Sequence, residues 1–401
     1  MHATVKRLTE TASGLILKFP WGGWAGWVAF CVIALAGTAP RRFDSTFTVY
    51  LVAAKRLLAH GPLYELQSLG GYFYLPLSLL VYAPFTAIDP SLAAAFWMAA
   101  FAAVFTWGCY LLMLGLLPNG AGDLKAAWLA GVVLLINVPA AWFNFKGVQS
   151  QTMMTGAMLI STVAIMRAQW LWASFWLFVA LVFKPLAIVM MLLCGALCPR
   201  MRLPLLVALA AAVALPFAFY GPDYLIPQYR DFAIKLWLTA AAPPAEWPFR
   251  ADISTLLEAL GIAMTPQGSL ALRVIAGLGA LYLAWRVREA RKLRSFGFAL
   301  MILSACYINL FSPRNEYLSF LLLTPSLAAL AFLVLTRDQG DWRGWLLIVA
   351  ALVLGMWWSL AFDAVAKPAI VLAIAGWMTR LMVQPKRWCD LVEAAGGDVA
   401  R

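Results

Sequence analysis

The stretch from Arg41 to Pro90, RRFDSTFTVYLVAAKRLLAHGPLYELQSLGGYFYLPLSLLVYAPFTAIDP, decides how the rest of the chain is interpreted. It follows the first long apolar run and places an acidic residue, Asp44, just outside that run. An amphipathic segment comes next, and then the aromatic segment Tyr72-Phe-Tyr-Leu-Pro76. This order predicts a polar loop that leaves an apolar layer and returns to its surface.

The composition predicts an all-α polytopic membrane protein. Of the 401 residues, 64% are hydrophobic and 12% are charged, and the mean hydropathy is +0.83. Soluble domains are nearer half apolar and a quarter charged. The apolar residues fall in runs of about 17–25, which is the length that crosses a bilayer as a helix. Residues 1–20 are mixed and polar, and no signal-peptide cleavage pattern follows the first run.

These runs predict about twelve membrane spans. They are residues 21–39, 92–117, 126–142, 151–167, 169–183, 185–199, 203–220, 268–286, 295–311, 317–336, 342–362 and 367–384. The segment 72–88 is also apolar, but it is short and Pro76 and Pro84 interrupt it.

The cations decide whether 72–88 crosses the membrane. If it does not, and the N-terminus is inside, most cations of the short loops between spans lie inside, as the positive-inside rule prefers. The main ones are Lys125, Arg167, Arg200, Arg202, Arg286 to Arg294, Arg337, Arg343, Lys386 and Arg387. We therefore expect 72–88 to be a surface or re-entrant helix and both termini to be cytoplasmic. Topology accounts for the net charge of +12 without nucleic acid.

The same topology gathers the polar interruptions on the outer face. They are the loop 41–90, Asn144 to Gln149, Phe183 to Pro185, the amphipathic loop 221–267, Ser312 to Glu316, and Asp363 to Lys367. The 221–267 loop should lie along the interface with its apolar face toward lipid. We expect a single integral-membrane domain over residues 1–401, with a cytoplasmic tail at 385–401. Polar groups that converge on one face predict a site there.

No metal or cofactor is expected. The chain has six cysteines and two histidines, without the spacing of a zinc site or a disulfide framework. Asp44 has no second carboxylate two residues away, so an Asp-x-Asp metal site is absent from the first loop.

Asp44 and Lys184 are the main candidates for chemistry. A carboxylate at the membrane surface can act as a general base, and Arg41 and Arg42 would favour its ionised form. The alternative is an interfacial ion pair or a helix cap. Lys184 lies deep in apolar sequence before Pro185. It could bind a phosphate, or its side chain could extend to the interface.

For each remaining candidate residue, a role in binding stands beside a purely structural role. Lys146 and Gln149 could bind phosphate or sugar, or form a solvated turn. Arg314 and Glu316 could contribute to the site or pair with each other. Arg230 and Lys235 could contact a lipid phosphate or general headgroups. Tyrosines could stack on a sugar, although aromatic belts occur in any membrane protein; they are Tyr64, Tyr72 and Tyr74.

The order of these motifs resembles the bacterial polyprenyl-phosphate-mannose-dependent α-mannosyltransferases, which are GT-C glycosyltransferases and include the phosphatidylinositol-mannoside mannosyltransferases. The likeness covers about residues 20–320. It consists of Asp44, FTVYLVAAKRLLAHGPLYE, YFYLP, a Lys-Gly-Val-Gln turn, Phe-Lys-Pro and Ser-Pro-Arg. The sequence departs from the family pattern where the Gly-Gln pair is split into Gly147-Val-Gln149, at Leu75-Pro76, and at Arg314 to Glu316.

The resemblance implies an inverting hexosyltransferase of the inner membrane, active on the periplasmic face in glycolipid biosynthesis. It would move a sugar, first of all mannose, from a polyprenyl-phosphate donor to a lipid or glycan acceptor without a metal. Asp44 would be the general base. Lys184, Arg230, Arg314 and Lys146 would bind the donor phosphate; Tyr50, Tyr64, Tyr74, Gln149 and Glu316 would bind sugar or acceptor.

Two other classes stay open. A transporter or flippase of lipid-linked sugars also needs many helices, but it would be expected to show repeats and midplane charges. A lipid-linked glycan ligase or polymerase would share the large outer loop, yet the loop 221–267 has no histidine.

Overall fold

The computed structural model describes residues 21–38, 46–117, 123–242, 246, 249–313, 315–337 and 340–393. Over these ranges the chain is α-helical, with no β-structure besides a bridge between Arg250 and Glu316. The first helices are α1 (Gly22–Thr38), α2 (Thr46–Leu58), α3 (Pro76–Tyr82), α4 (Pro90–Leu116), α5 (Asp123–Ile136), α6 (Val138–Lys146), α7 (Gln151–Met166), α8 (Trp170–Phe183) and α9 (Ile188–Leu197). The others are α10 (Pro199–Ala214), α11 (Pro222–Ala241), α12 (Ile253–Ala259), α13 (Pro266–Glu289), α14 (Leu293–Phe311), α15 (Thr324–Arg337), α16 (Trp342–Gly355), α17 (Leu360–Met382) and α18 (Pro385–Glu393).

Short 3₁₀ segments extend or join several of these helices. They are Ala83–Ala87, Pro185–Ala187, Leu215–Ala218 and Tyr317–Leu322. Each begins at or next to a proline or follows a break, where the α-helical hydrogen-bond ladder is interrupted.

Six helical segments among the described residues are long and apolar enough to cross a membrane, or seven if the bent pair α5–α6 is one span. They are Pro90–Leu116, Pro199–Ala218, Pro266–Glu289, Leu293–Phe311, Tyr317–Arg337 and Leu360–Met382. The other apolar helices are shorter, so the total of about twelve spans stays a prediction. The segment 72–88 forms α3 and the 3₁₀ turn after it, about 18 Å of helix, which is shorter than the hydrocarbon layer of about 30 Å.

Helix α7 is the centre of the bundle. Every residue from Gln151 to Ile165 is buried, and the helix packs against α4, α8 and α14. A helix that is buried around its whole circumference is enclosed by its neighbours. Because α7 begins at Gln151, its position fixes where the preceding polar turn lies.

Glycines allow the closest of these contacts. A Cβ atom on Gly156 would lie 2.7 Å from the backbone of Val104 and Phe105, and one on Gly108 would lie 2.7 Å from the carbonyl oxygen of Gly156. On the other side of α7, a Cβ atom on Gly297 of α14 would lie 3.0 Å from the carbonyl oxygen of Thr162. Small residues let membrane helices approach until their backbones touch.

The structure adds detail at three of the sequence-based boundaries. The predicted span 126–142 is broken at Asn137, where α5 and α6 meet at an angle of 63°. Pro139 removes a backbone donor there, and the Asn137 side chain donates to the Val133 carbonyl and accepts from the Thr324 hydroxyl. The predicted spans 342–362 and 367–384 were expected to be joined by a loop at residues 363–367. Instead, α17 begins at Leu360 and continues through these residues as a helix.

The third is the segment 385–401, which was predicted as a cytoplasmic tail and stays so as a prediction. Within it, residues 385–393 form α18, which packs on the bundle. Trp388 is fully buried against Phe298 and donates from Nε1 to the Ser295 carbonyl.

We predict that Gly156→Ala destabilises the protein by about 1–3 kcal/mol or more, because the added methyl group meets backbone atoms that cannot rotate away. Thermal unfolding of the purified protein in detergent measures this. Gly376→Ala is the matched control, since nothing lies within 4 Å of a Cβ atom at that position in α17. Equal melting temperatures for the two variants would refute the tight α4–α7 contact.

Candidate functional site

The first loop and the turn before α7 meet at Tyr50. Its hydroxyl lies 3.0 Å from the Tyr74 hydroxyl and 3.1 Å from Ser150 Oγ, and its ring stacks on Tyr82 with centroids 5.0 Å apart. Tyr50 is fully buried, whereas Tyr74 is half-buried. Residues separated by about a hundred positions in the sequence are therefore joined through one phenol.

Gln149 makes the second link between these segments. Its Nε2 donates to Thr46 Oγ1 at 2.6 Å, at the N-terminal end of α2. The turn that carries Gln149 is closed by a bond of 2.8 Å from its own N–H to the Asn144 carbonyl, and Val148 adopts a φ of +47°. Lys146, at the end of α6 in the same turn, is exposed.

Hydrogen bonds from tyrosine hydroxyls to backbone carbonyls fix the rest of the first loop. The Tyr64 hydroxyl donates to the Tyr74 carbonyl at 2.7 Å, and the Tyr72 hydroxyl donates to the Leu75 carbonyl at 2.9 Å. Burial raises the pKa of both phenols, Tyr64 and Tyr72, well above the ordinary value. Both therefore stay protonated and act as hydrogen-bond donors at any physiological pH.

Helix α11 holds this loop from the other side. Gln228 Oε1 accepts from the Leu63 N–H at 2.9 Å, and the Tyr224 hydroxyl donates to the Gly61 carbonyl at 2.8 Å. Lys235 is buried, and its ammonium donates to the carbonyls of Glu65 and Ser68.

The position of Lys235 corrects its predicted role. It was expected to face lipid headgroups or a lipid phosphate, but it points into the protein and lies 4.9 Å from the Phe73 ring centroid. Arg230 differs, because it is exposed on the opposite side of α11 together with Ile226 and Trp237. An exposed helix face with apolar residues and an arginine is typical of the membrane interface.

Lys184 lies where α8 ends. It is half-buried, its backbone is extended (φ −155°, ψ 120°), and Pro185 starts the following 3₁₀ turn. Phe183 beside it meets the Tyr82 ring edge-on at 6.1 Å, and Tyr82 stacks on Tyr50. Among the described residues no hydrogen bond or ion pair uses the Lys184 ammonium, so this cation is available to a ligand.

Glu316 lies on the far side of the turn before α7. It forms the antiparallel bridge with Arg250, and the Leu318 carbonyl two residues later accepts from Asn144 Nδ2 at 3.0 Å. Arg250 binds Asp252, which caps α12. Burial raises the pKa of Asp252, and the charge of Arg250 opposes that shift.

A buried ion pair lies beside this segment in α17. Lys367 Nζ is 3.3 Å from Asp363 Oδ1, and both side chains are almost fully buried. The ammonium lies 5.8 Å from the Tyr317 ring centroid and 5.4 Å from that of Phe320. Breaking such a pair leaves an uncompensated buried charge, so both members hold the end of α17 against the segment that contains Glu316.

The structure therefore brings several predicted site residues together at one end of the bundle, which we call the tyrosine end. They are Tyr50, Tyr64, Tyr74, Gln149, Lys146, Lys184 and Glu316. Arg230 faces away from this group. Asp44 and Arg314 lie outside the described residues, so their predicted roles stay predictions.

Sequence reasoning missed several residues that hold the site. Thr46, Ser150 and Gln228 carry no charge and belong to no recognisable motif. Two signals were present in the sequence. Asp252 and Thr255 have the spacing of a capping box, and Asp363 and Lys367 have the i, i+4 spacing of a helical ion pair.

In the part of the chain that the structure describes, no group of three or more His, Cys, Asp or Glu side chains could hold a metal ion.

We predict that Tyr50→Phe lowers the free energy of unfolding by about 1 kcal/mol, because it removes hydrogen bonds to the buried Ser150 hydroxyl and the half-buried Tyr74 hydroxyl. Tyr82→Phe is the matched control. Its ring stacks on Tyr50, but its buried hydroxyl has no hydrogen-bond partner among the described residues, so its loss should be neutral or stabilising. Chemical or thermal unfolding measures both, and an equal loss would contradict the role of the Tyr50 hydroxyl.

We also predict that Lys235→Met increases amide hydrogen exchange in residues 61–74, because the loop loses two hydrogen bonds to a buried cation. Arg230→Gln on the opposite side of α11 should leave exchange in that loop unchanged. Hydrogen-exchange mass spectrometry of the two variants tests this. If protection in the loop is the same in Lys235→Met as in wild type, α11 does not hold the loop.

No known protein family matches the chain, and no curated protein matches it. A search of solved structures finds a likeness to an oligosaccharyltransferase of Archaeoglobus fulgidus, crystallised with a tethered acceptor peptide that contains an NVT sequon. The identity is 12% and the TM-score 0.41, and the match covers 88% of this chain and 55% of that one. The chain thus spans about half the length of the protein that it resembles.

Proposed function

We propose that the chain is a membrane glycosyltransferase that moves a sugar, first of all mannose, from a polyprenyl-phosphate donor to a lipid or glycan acceptor. The observation that carries this proposal is the hydrogen bond of 2.6 Å between Gln149 and Thr46. It joins the turn before α7 to the N-terminal end of α2, two residues after Asp44 in the sequence. The sequence-based topology, which gathers the polar interruptions on one face, is consistent with this contact.

The reaction needs a base and a cation. The acceptor hydroxyl oxygen attacks the anomeric carbon and gives its proton to the Asp44 carboxylate. The bond between the anomeric carbon and the phosphate oxygen breaks, and its electron pair leaves with polyprenyl phosphate, so the configuration inverts. A fixed cation stabilises the negative charge that grows on the leaving phosphate.

Lys184 is the cation best placed for that phosphate. The residue is half-buried and its ammonium is unpaired among the described residues; the residue before it, Phe183, contacts Tyr82, which stacks on Tyr50. Lys146 is exposed in the neighbouring turn and can add a second charge. Arg230 suits a lipid headgroup better, because it faces away from the tyrosine end. We therefore propose Lys184 and Lys146 for the phosphate.

The tyrosines have different proposed roles. Tyr74 is half-buried and can contact sugar, whereas Tyr50 and Tyr64 are buried and hold Tyr74 by hydrogen bonds to its hydroxyl and its carbonyl. Gln149 and Glu316 remain candidates for sugar or acceptor.

An apolar groove of about 620 Å³ between α1 and α4 suits the lipid chain of the donor. It runs past Trp27, Cys31 and Leu35 toward the C-terminal end of α1. A groove of this volume lined by apolar side chains is of the size that binds lipid-like molecules.

We expect Asp44→Asn to lower transfer by about 10²–10⁴-fold, because the acceptor loses its base. Lys184→Gln should lower it by about 10²-fold, because the leaving phosphate loses its cation. Asp223→Asn on α11 and Lys125→Gln at the start of α5 are controls of equal charge change. The assay uses purified protein in nanodiscs with synthetic polyprenyl-phosphate sugars and membrane-lipid acceptors, with and without chelator.

Full activity of Asp44→Asn would refute the assignment of the base, and loss of activity with chelator would refute a metal-independent reaction. If no donor is consumed and donor lipid instead moves between leaflets of liposomes, the chain is a transporter.

A further inference from the structure

A second cavity lies at the opposite end of the bundle. It has a volume of about 330 Å³ and is formed where α9 ends, α10 begins, α13 ends and α14 begins. Four cations surround it: Arg200, Arg288, Arg291 and Lys292. We call this place the cationic end. Helix α8 connects the two ends, from Trp170 in this cavity to Phe183 beside Lys184, a distance of about 20 Å for 14 residues.

The four cations are available to an anion. Within the described ranges, none of them has a carboxylate within 4.0 Å, although neighbouring cations do have partners. Arg286 pairs with Glu289, and Arg202 donates to the carbonyls of Gly195 and Ala196. The nearby carboxylate of Glu393 is bound by Ser295 instead. The positive-inside rule explains why cations occur in these loops, but it does not explain why four of them converge on one cavity.

Two helix N-termini add to the positive potential. Helix α10 begins at Pro199 and α14 at Leu293, and both residues line the cavity. The free N–H groups and the dipole of a helix N-terminus favour a phosphate. The chain between α13 and α14 turns through Arg291 with a φ of +54°, a conformation that favours glycine, yet an arginine occupies it.

The rest of the cavity wall is apolar. Trp170, Leu197, Leu293 and Phe296 provide it. A ligand that fits both parts carries a phosphate next to a hydrocarbon portion, and the cavity lies at the ends of apolar helices where headgroups are found. All four cations are exposed, so they can be reached from the headgroup layer.

We propose that this cavity binds the phosphate headgroup of an anionic membrane phospholipid, at the end of the bundle opposite the tyrosine end. The site is separate from the proposed transferase chemistry and does not depend on it. A free phosphate could use the same cations and helix N-termini, so the experiment must distinguish the two sources.

The test is native mass spectrometry of the delipidated full-length protein, titrated with phosphatidylglycerol or with phosphatidylcholine. We compare wild type with Arg200→Gln/Arg291→Gln. The control Arg337→Gln/Arg380→Gln removes two charges from the last turns of α15 and α17, at the same end of the bundle. A third protein, Arg200→Lys/Arg291→Lys, keeps both charges. Monodispersity and melting temperature establish that each variant is folded.

We expect phosphatidylglycerol to bind wild type in preference to phosphatidylcholine, and the Arg200→Gln/Arg291→Gln variant to bind it about 25-fold more weakly, or about fivefold for each cation removed. The control and the lysine variant should stay close to wild type. Equal losses in the test and control variants would overturn the proposal, since only general charge would then matter. Binding of glycerol 3-phosphate to wild type as tightly as phosphatidylglycerol would also overturn it, in favour of a soluble phosphate ligand. Transferase activity is not measured, so failure here leaves the proposed function untouched.

Discussion

The contact between the backbones of α4 and α7 is the constraint on which the rest of the structure depends. Gly108 and Gly156 lie at the crossing, and neither has room for a side chain. In a membrane, burial of apolar surface does not drive helices together, so close packing must do it. With α7 enclosed on all sides, the turn before it has a fixed place. The hydrogen bonds of Gln149 and Ser150 therefore reach a first loop whose partners are far away in the sequence.

The first loop shows how backbone polar groups find hydrogen-bond partners next to the apolar helices. Its backbone carbonyls accept hydrogen bonds from tyrosine hydroxyls on one side and from the Lys235 ammonium on the other. Unpaired polar groups are expensive near hydrocarbon, and side chains supply partners where the loop has no regular secondary structure. The half-buried Tyr74 and Lys184 are thus presented by neighbours that are themselves held in place.

Much of this arrangement was predictable from sequence. Long apolar runs predicted the helices, and loop cations separated one end of the bundle from the other. The resemblance of the motif order to a known family implied that Tyr50, Tyr74, Gln149 and Lys184 belong to one site, which stays a prediction. The sequence could not show which way individual charged side chains point. Lys235 is on an amphipathic helix whose charged residues could face either lipid or protein. It faces the protein because the carbonyls of Glu65 and Ser68 in the first loop accept its hydrogen bonds. Asp363 and Lys367 were interpreted as a loop because charges usually end a span, but as a buried pair they neutralise each other inside a continuous helix.

The length of α8 has a consequence for the membrane itself. Leu171, Trp172 and Phe175 are exposed on this helix and must meet lipid, yet its 14 residues span only about 21 Å, less than the hydrocarbon thickness of about 30 Å. Such a mismatch is relieved by thinning of the bilayer or by water and headgroups that descend to the helix end. If Lys184 binds the donor phosphate as proposed, thinning of the bilayer would bring that phosphate to the end of α8 together with the surrounding lipid headgroups. The short helix would then select for a substrate that arrives by lateral diffusion within the leaflet.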